Sequence, residues 1–80
     1  MTRVEIEYCV PCGHLDRAAD LQRDLLALFG QQLETVALRP GDGGVFVVRV
    51  DGEQVFDKST DEYDEAAITE TVRERLQAET

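Results

Sequence analysis

The chain has 80 residues, of which 17 are Asp or Glu and eight are Lys or Arg, so its net charge is −9 at pH 7. So negative a surface argues against binding to nucleic-acid phosphates or to anionic lipid. No apolar run approaches the roughly 20 residues that a membrane-spanning helix needs, and no secretory leader is recognisable, so we expect a cytoplasmic location. A chain of this length predicts one small domain, spanning residues 1–80.

The acidic residues are accompanied by a single lysine, Lys58. Abundant Asp with little Lys is typical of proteins from salt-loving organisms, in which high ionic strength screens the repulsion between like charges. The halophilic interpretation predicts that the protein loses stability when salt is removed. An ordinary acidic protein is the alternative.

The first predicted element is a strand over residues 3–8, in which polar and apolar residues alternate. It leads into a Cys-Val-Pro-Cys motif at residues 9–12, which holds both cysteines of the chain. A helix is predicted next, over residues 13–29, and its apolar face comprises Leu15, Ala18, Ala19, Leu25, Leu26 and Phe29. A CxxC motif between a strand and a helix is typical of thioredoxin-like redox proteins.

The middle of the chain predicts three further strands. Residues 33–38 form the second strand, which is expected to lie parallel to the first because a helix connects them. Residues 39–44 are rich in turn formers and show no strand pattern. The third strand is the apolar run 45–50, and an Asp-Gly pair then predicts a type I′ hairpin turn into a fourth strand over 53–56.

A polar loop over residues 57–64 leads to the last helix, which we expect to begin near Asp61 or Asp64, since either side chain can cap it. The buried stripe of this helix is predicted to comprise Ala67, Ile68, Val72 and Leu76. The element order is therefore β-α-β-β-β-α. It predicts an α/β (α+β) thioredoxin-like fold, with two helices on a four-stranded mixed sheet.

Cys9 and Cys12 are predicted to be a redox-active pair, in which one thiol attacks a disulfide and the other resolves the mixed disulfide. We place them at the start of the helix, where backbone N–H groups stabilise a thiolate. Pro11 is expected in the first helical turn, since its fixed φ suits that position. Glu7 and Asp16 would act in the opposite direction and raise a cysteine pKa if they point inward.

Three further residues are candidates for supporting roles. His14 has three interpretations: it transfers a proton to the leaving thiol, it ligates zinc together with the two cysteines, or it is a partly exposed helix residue with no special role. A structural zinc site normally takes four ligands and the chain has no other Cys or His, so we predict no metal and no cofactor. Pro40 and Gly41 are expected beside the cysteines, because the loop before the third strand often approaches them in thioredoxin-like folds.

Three segments together indicate a family resemblance, namely residues 8–13, 38–46 and 50–58. In this order they resemble the Rdx family, the prokaryotic relatives of selenoproteins W, T and H, and the resemblance extends over residues 4–76. It implies a thioredoxin-like domain whose CxxC motif, or CxxU in the selenoproteins, undergoes thiol–disulfide chemistry.

The resemblance leaves the order of attack open. Selenocysteine takes the position of Cys12 in the selenoprotein relatives, whereas thioredoxins attack with the cysteine at the position of Cys9. The chain also departs from the family pattern, with Tyr63-Asp64 where a Phe-Pro pair is typical. Where the chain has His14, the family commonly has an aromatic residue, which weakens a general catalytic role for the histidine.

The sequence therefore predicts a small thiol–disulfide redox protein that performs disulfide exchange or senses oxidant. Its expected partners are protein thiols or disulfides, or a small thiol, and we expect a monomer or a weak homodimer. One alternative is a redox-gated adapter that binds another protein without catalytic turnover. Another is a zinc-assisted assembly module.

Overall fold

The computed structural model describes residues 2–78. Its strands and helices are β1 (Thr2–Cys9), α1 (Leu15–Phe29), β2 (Leu33–Gly41), β3 (Phe46–Val50), β4 (Glu53–Asp57) and α2 (Glu65–Ala78). A short 3-10 turn at Gly30–Gln32 joins α1 to β2. The predicted element order and the predicted α/β (α+β) fold class are both confirmed.

The four strands form one mixed sheet in the order β2-β1-β3-β4. As predicted, β1 and β2 are parallel, because α1 carries the chain back to the start of the sheet, and the other neighbours are antiparallel. Asp51 and Gly52 connect β3 to β4 with φ angles of 52° and 84°. Positive values at both residues are what a type I′ turn requires. The Asp51 carboxylate also accepts a hydrogen bond from the Arg3 N–H at 2.9 Å, so the turn is tied to β1.

The core lies between the helices and one face of the sheet. Alternate strand residues supply its sheet side, including Val4, Ile6, Phe46, Val48 and Val50, all of which are fully or almost fully buried. The intervening residues lie on the other face, where the Arg49 guanidinium donates to Glu5 at 2.9 Å and to Glu7 at 3.0 Å. The sheet therefore has one apolar and one charged face, as the alternating pattern of β1 indicates.

The helix faces differ in part from the predicted ones. In α1 the buried residues are Ala18, Leu21, Leu25 and Phe29, and in α2 they are Ile68, Val72 and Leu76. Leu15 and Leu26 were expected in the core but are 49% and 43% exposed, and Ala67 is exposed as well. Because each helix packs along one side only, a residue next to the buried line is turned by about 100° away from the sheet.

The second strand is longer than predicted, since β2 continues through residues 39–41, which were expected to form a turn. Pro40 is tolerated there because β2 is an edge strand, where a residue without an N–H group need not break the pairing. The third strand starts at Phe46 instead of Val45. The last helix starts at Glu65, after Asp64 caps it by accepting the N–H groups of residues 66 and 67 at 3.0 and 3.3 Å.

No helix within residues 2–78 combines the length and the apolarity needed to cross a membrane.

Candidate redox site

The two cysteines are joined to each other at the end of β1. Cys9 and Cys12 form a disulfide, with their Cα atoms 5.3 Å apart. This separation lies well inside the range in which two cysteines can be bridged without movement of the backbone. The backbone at this position therefore permits a disulfide.

The motif lies in a turn that precedes the helix. The N–H of Gly13 donates to the Val10 carbonyl at 3.1 Å, and the N–H of His14 donates to the Cys9 carbonyl at 3.3 Å. Pro11 was predicted in the first helical turn; it takes the second position of the 10–13 turn instead, where its fixed φ is equally suitable. The helix starts later than predicted because Gly13 has a φ of 76°, which interrupts any helical continuation from the motif.

The two sulfur-bearing residues differ sharply in exposure. Cys9 is the last residue of β1 and is completely buried, whereas Cys12 is exposed on the turn. The backbone around Cys9 is bonded on both sides: its N–H donates to the Val45 carbonyl at 2.8 Å, and the N–H of Val10 donates to the Gly41 carbonyl at 3.0 Å. A partner that arrives from solvent therefore meets Cys12 and not Cys9.

The structure brings Gly41, but not Pro40, next to the disulfide. Gly41 is the register partner of Cys9 in the parallel pair of strands. A Cβ atom on Gly41 would lie 3.0 Å from the nearer methyl group of Val45 and 3.1 Å from a carboxylate oxygen of Glu7. A side chain at position 41 would therefore require Val45 or Glu7 to shift by a few tenths of an ångström. Pro40 is exposed and occupies the preceding register position.

The two acidic residues that would raise a cysteine pKa if they pointed inward have different surroundings. Glu7 lies on the charged face of the sheet and accepts a hydrogen bond from Arg49 at 3.0 Å. Asp16 is exposed to solvent on the first turn of α1. Pairing with a guanidinium, or contact with water, weakens the electrostatic effect of a carboxylate on neighbouring groups.

His14 lies at the N-terminus of α1, where it is half-buried with the edge of its ring against Phe46, the ring centroids being 5.9 Å apart. Burial lowers the pKa of His14, and the positive charges of Lys58 and Arg17 lower it further. The lowered pKa favours the neutral form of the imidazole. A neutral imidazole is able to accept a proton, whereas a histidine that is already protonated cannot.

Arg17 and Lys58 are two basic residues near His14 whose placement the sequence pattern does not predict. The guanidinium of Arg17 lies 4.6 Å from the ring centroid of Tyr63 and 6.0 Å from that of Phe46. The backbone N–H of Lys58 donates to the Phe46 carbonyl at 3.0 Å. The turn that carries Lys58 is braced by Asp57, whose carboxylate accepts both the N–H and the hydroxyl of the residue at position 59, at 2.9 and 2.7 Å.

The position of Lys58 near the cysteine motif can be inferred from the sequence once the order of the strands is known. Lys58 directly follows β4, and β4 runs in the same direction as β1 because each is antiparallel to β3. The C-terminal ends of β1 and β4 therefore lie at the same end of the sheet. Cys9 and Lys58 both lie at this end. The same inference is not possible for Arg17, because its position depends on stacking against Tyr63.

Among residues 2–78, no group of three or more His, Cys, Asp or Glu side chains is placed so as to hold a metal ion.

A four-stranded mixed sheet with a CxxC disulfide at the end of its first strand defines a thioredoxin-like protein. The chain matches the model of the Rdx family over residues 3–74. It therefore belongs to the Rdx family.

Two solved structures are similar over nearly their whole length. A crystal structure of a protein from Bordetella parapertussis is 36% identical, with a TM-score of 0.87, and the match covers 92% of this chain and 96% of that one. A selenoprotein W-related protein from Vibrio cholerae is 30% identical, with a TM-score of 0.86, and the match covers 94% and 96%. No curated protein matches the chain significantly.

Proposed function

We propose that this protein is a small thiol–disulfide redox protein in which Cys9 and Cys12 cycle between the dithiol and the disulfide. The observation that carries the proposal is the disulfide itself, with one cysteine fully buried and the other exposed. Membership of the Rdx family and similarity to a selenoprotein W-related protein support a redox role. We assign the reaction to the cytoplasm, where a nearby pair of cysteines is typically catalytic or redox-sensing.

In this proposal Cys12 is the attacking residue, because it alone of the pair is open to solvent. The Cys12 thiolate attacks one sulfur of a substrate disulfide; the S–S bond of the substrate breaks, and the first substrate thiolate leaves. Cys12 then holds the other half of the substrate as a mixed disulfide. The substrate is a protein disulfide or the disulfide of a small thiol.

Cys9 completes the reaction as the resolving residue. Its thiolate attacks the Cys12 sulfur, the bond between Cys9 and Cys12 forms, and the second substrate thiolate leaves. The substrate takes up two electrons, which the dithiol gives, and the two protons of the cysteine thiols pass to the two released thiolates. Because Cys9 is fixed in the sheet, it reaches Cys12 without a search through other conformations.

The order of attack is tested with the Cys9→Ser and Cys12→Ser variants, each reduced and mixed with hydroxyethyl disulfide, and analysed by intact mass. The Cys9→Ser variant retains the exposed thiol but cannot resolve the adduct, so a mixed disulfide accumulates on Cys12. The Cys12→Ser variant should form its adduct more slowly, by about tenfold or more, since its thiol is buried. Equal rates for the two variants would contradict the proposed order, and absence of an adduct from both would contradict exchange itself.

A second candidate function is a redox-gated adapter, which is favoured by the apolar residues around the exposed cysteine. Val10 and Leu15, two positions before and three positions after Cys12, are 52% and 49% exposed. Exposed apolar side chains beside a functional group are typical of surfaces that bind proteins. Sustained turnover of a disulfide substrate with a dithiol reductant supports the redox protein, whereas binding of a partner in only one oxidation state, without turnover, supports the adapter.

A further inference from the structure

Two basic residues contact Phe46 at the end of the molecule that carries the disulfide, Arg17 with its side chain and Lys58 with its backbone. Arg17 belongs to the first turn of α1, and its guanidinium lies 6.0 Å from the ring centroid of Phe46. Lys58 follows β4, and its N–H donates to the carbonyl of the same Phe46 at 3.0 Å. A helix and the end of a strand that are far apart in sequence therefore bring two basic residues next to Phe46.

This place is directly connected to the cysteine motif. Val45, which precedes Phe46, accepts the N–H of Cys9 at 2.8 Å. His14, whose N–H donates to the Cys9 carbonyl, packs its ring against Phe46 at a centroid distance of 5.9 Å. The positive charges of Lys58 and Arg17 both contribute to the lowered pKa of His14, although burial contributes more. Both charges thus act on His14, which is two residues from Cys12 in the sequence.

Most basic residues elsewhere on the surface are neutralised by a carboxylate. The arginines engaged in ion pairs are Arg3, Arg39, Arg49, Arg73 and Arg75. Within residues 2–78, no carboxylate lies within ion-pair distance of Arg17 or Lys58. Neither charge is therefore engaged in a direct ion pair, in a protein whose net charge of −9 repels anions from its surface as a whole.

We infer that Arg17 and Lys58 make the redox site selective for anionic disulfides, in which a carboxylate lies close to the reacting sulfur. The inference rests on the proposed function, because it concerns the substrate that exchanges with Cys12. Stacking over Tyr63 holds the guanidinium of Arg17 in place, so little conformational entropy is lost when it binds a carboxylate. The same two charges stabilise the substrate thiolate that leaves when its S–S bond breaks.

The inference is tested by measuring rates of exchange between the reduced protein and three small disulfides of different charge. These are dithiodiglycolate, which carries carboxylates, hydroxyethyl disulfide, which is neutral, and cystamine, which carries ammonium groups. The quantity to compare is the ratio of the dithiodiglycolate rate to the cystamine rate, in the wild type and in each variant. Differences in the intrinsic reactivity of the disulfides cancel in this comparison.

The Lys58→Gln and Arg17→Gln variants should each lower this ratio by roughly threefold to tenfold at low ionic strength. Lys58→Gln keeps the backbone hydrogen bond to Phe46, so it tests the charge even if Arg17→Gln disturbs the packing against Tyr63. Arg23→Gln is the matched control, since Arg23 is an exposed arginine on the same helix and the change in net charge is identical. The control should leave the ratio unchanged. In about 1 M salt the difference between wild type and variants should shrink, because the Debye length falls to about 3 Å.

A disulfide-linked dimer of a short Asp-containing peptide distinguishes the two possible sources of the anion. Lys58→Gln should slow its exchange as it slows that of dithiodiglycolate. A wild-type rate well above that of dithiodiglycolate would assign the substrate to acidic polypeptides, and a similar rate would assign it to small anionic thiol compounds; both outcomes agree with the inference.

Unchanged ratios in both Lys58→Gln and Arg17→Gln, with exchange still occurring, would overturn the selectivity and leave the proposed function intact. Failure of all the disulfides to react with the wild-type protein would overturn both.

Discussion

Cys9 and Gly41 form the last register pair of the parallel strands β1 and β2. The buried cysteine of the disulfide is therefore not part of a mobile loop but is fixed in the sheet. The N–H of Cys9 donates to the carbonyl of Val45, and the N–H of the next residue, Val10, donates to the carbonyl of Gly41. This arrangement gives the two cysteines different surroundings, with one on a rigid strand and the other on an exposed turn.

The first prediction concerns Gly41. In Gly41→Ala the new Cβ would lie 3.0 Å from a methyl group of Val45 and 3.1 Å from the Glu7 carboxylate, so one of these neighbours must move. We expect a loss of about 1 kcal/mol in the free energy of unfolding, measured by urea denaturation. The matched control is the same substitution in a Val45→Ala background, which removes the crowded methyl group. An equal loss in both backgrounds would contradict the crowding explanation.

The second prediction concerns Glu65 at the start of α2. Burial raises the pKa of Glu65, and a hydrogen bond that its protonated carboxyl donates to Asp24, together with the charges of Asp24 and Asp20, raises it further. A carboxyl whose pKa is raised by folding stabilises the protein fully below its unfolded pKa and loses this contribution as the pH rises through the folded value. The ionised Glu65 carboxylate therefore destabilises the folded protein at pH 7.

Accordingly, Glu65→Gln should raise the melting temperature at pH 7, by an amount that corresponds to a few tenths of a kcal/mol. The advantage should disappear near about pH 3, where the wild-type carboxyl is also neutral. Glu62→Gln, an equal charge change in the exposed loop before α2, serves as the control. A melting temperature that does not rise beyond that of the control at pH 7 would count against this account.

The third prediction concerns the histidine beside the motif. Burial is the main cause of the lowered pKa of His14, and Lys58 and Arg17 add to it. Lys58→Gln should therefore raise this pKa without restoring the ordinary value, and titration of the imidazole by NMR measures the change. Arg23→Gln should have no such effect, and an imidazole pKa that is the same in Lys58→Gln and wild type would show that the lysine charge does not reach His14.

The fourth prediction concerns salt. The chain has 17 acidic and eight basic residues, and the resulting repulsion opposes folding when it is unscreened. We expect the melting temperature to rise between low salt and molar salt, because screening weakens the repulsion between carboxylates. A melting temperature that does not change over this range would remove the basis for the halophilic interpretation.

The order of the elements can be predicted from short local patterns in the sequence. The alternation in β1 and the Asp-Gly pair at 51–52 each depend on a few neighbouring residues, and both were interpreted correctly. The extension of β2 to Gly41 depends instead on pairing with β1, which is remote in sequence. The composition of residues 39–44 indicates a turn, and only the edge position of β2 explains why Pro40 continues the strand.

The candidate site shows the same division between local and distant causes. The spacing of Cys9 and Cys12 is sufficient to predict their pairing, and the disulfide confirms that they lie within bonding distance. Their unequal burial was not predictable, since it arises where the sheet ends and the turn begins. The contacts of Arg17 and Lys58 with Phe46 also require knowledge of the strand order, because the two basic residues are 41 positions apart in the sequence.

The reduction potential of the Cys9–Cys12 pair tests the central claim most directly. The protein is equilibrated with dithiol buffers of defined potential, in high salt, and its free thiols are counted by intact mass after alkylation. A working redox couple predicts one cooperative two-electron transition near the cytosolic poise, at roughly −220 to −320 mV. If the two thiols persist at every potential tested and no intramolecular disulfide forms, the pair is not a redox couple and the proposed function is wrong.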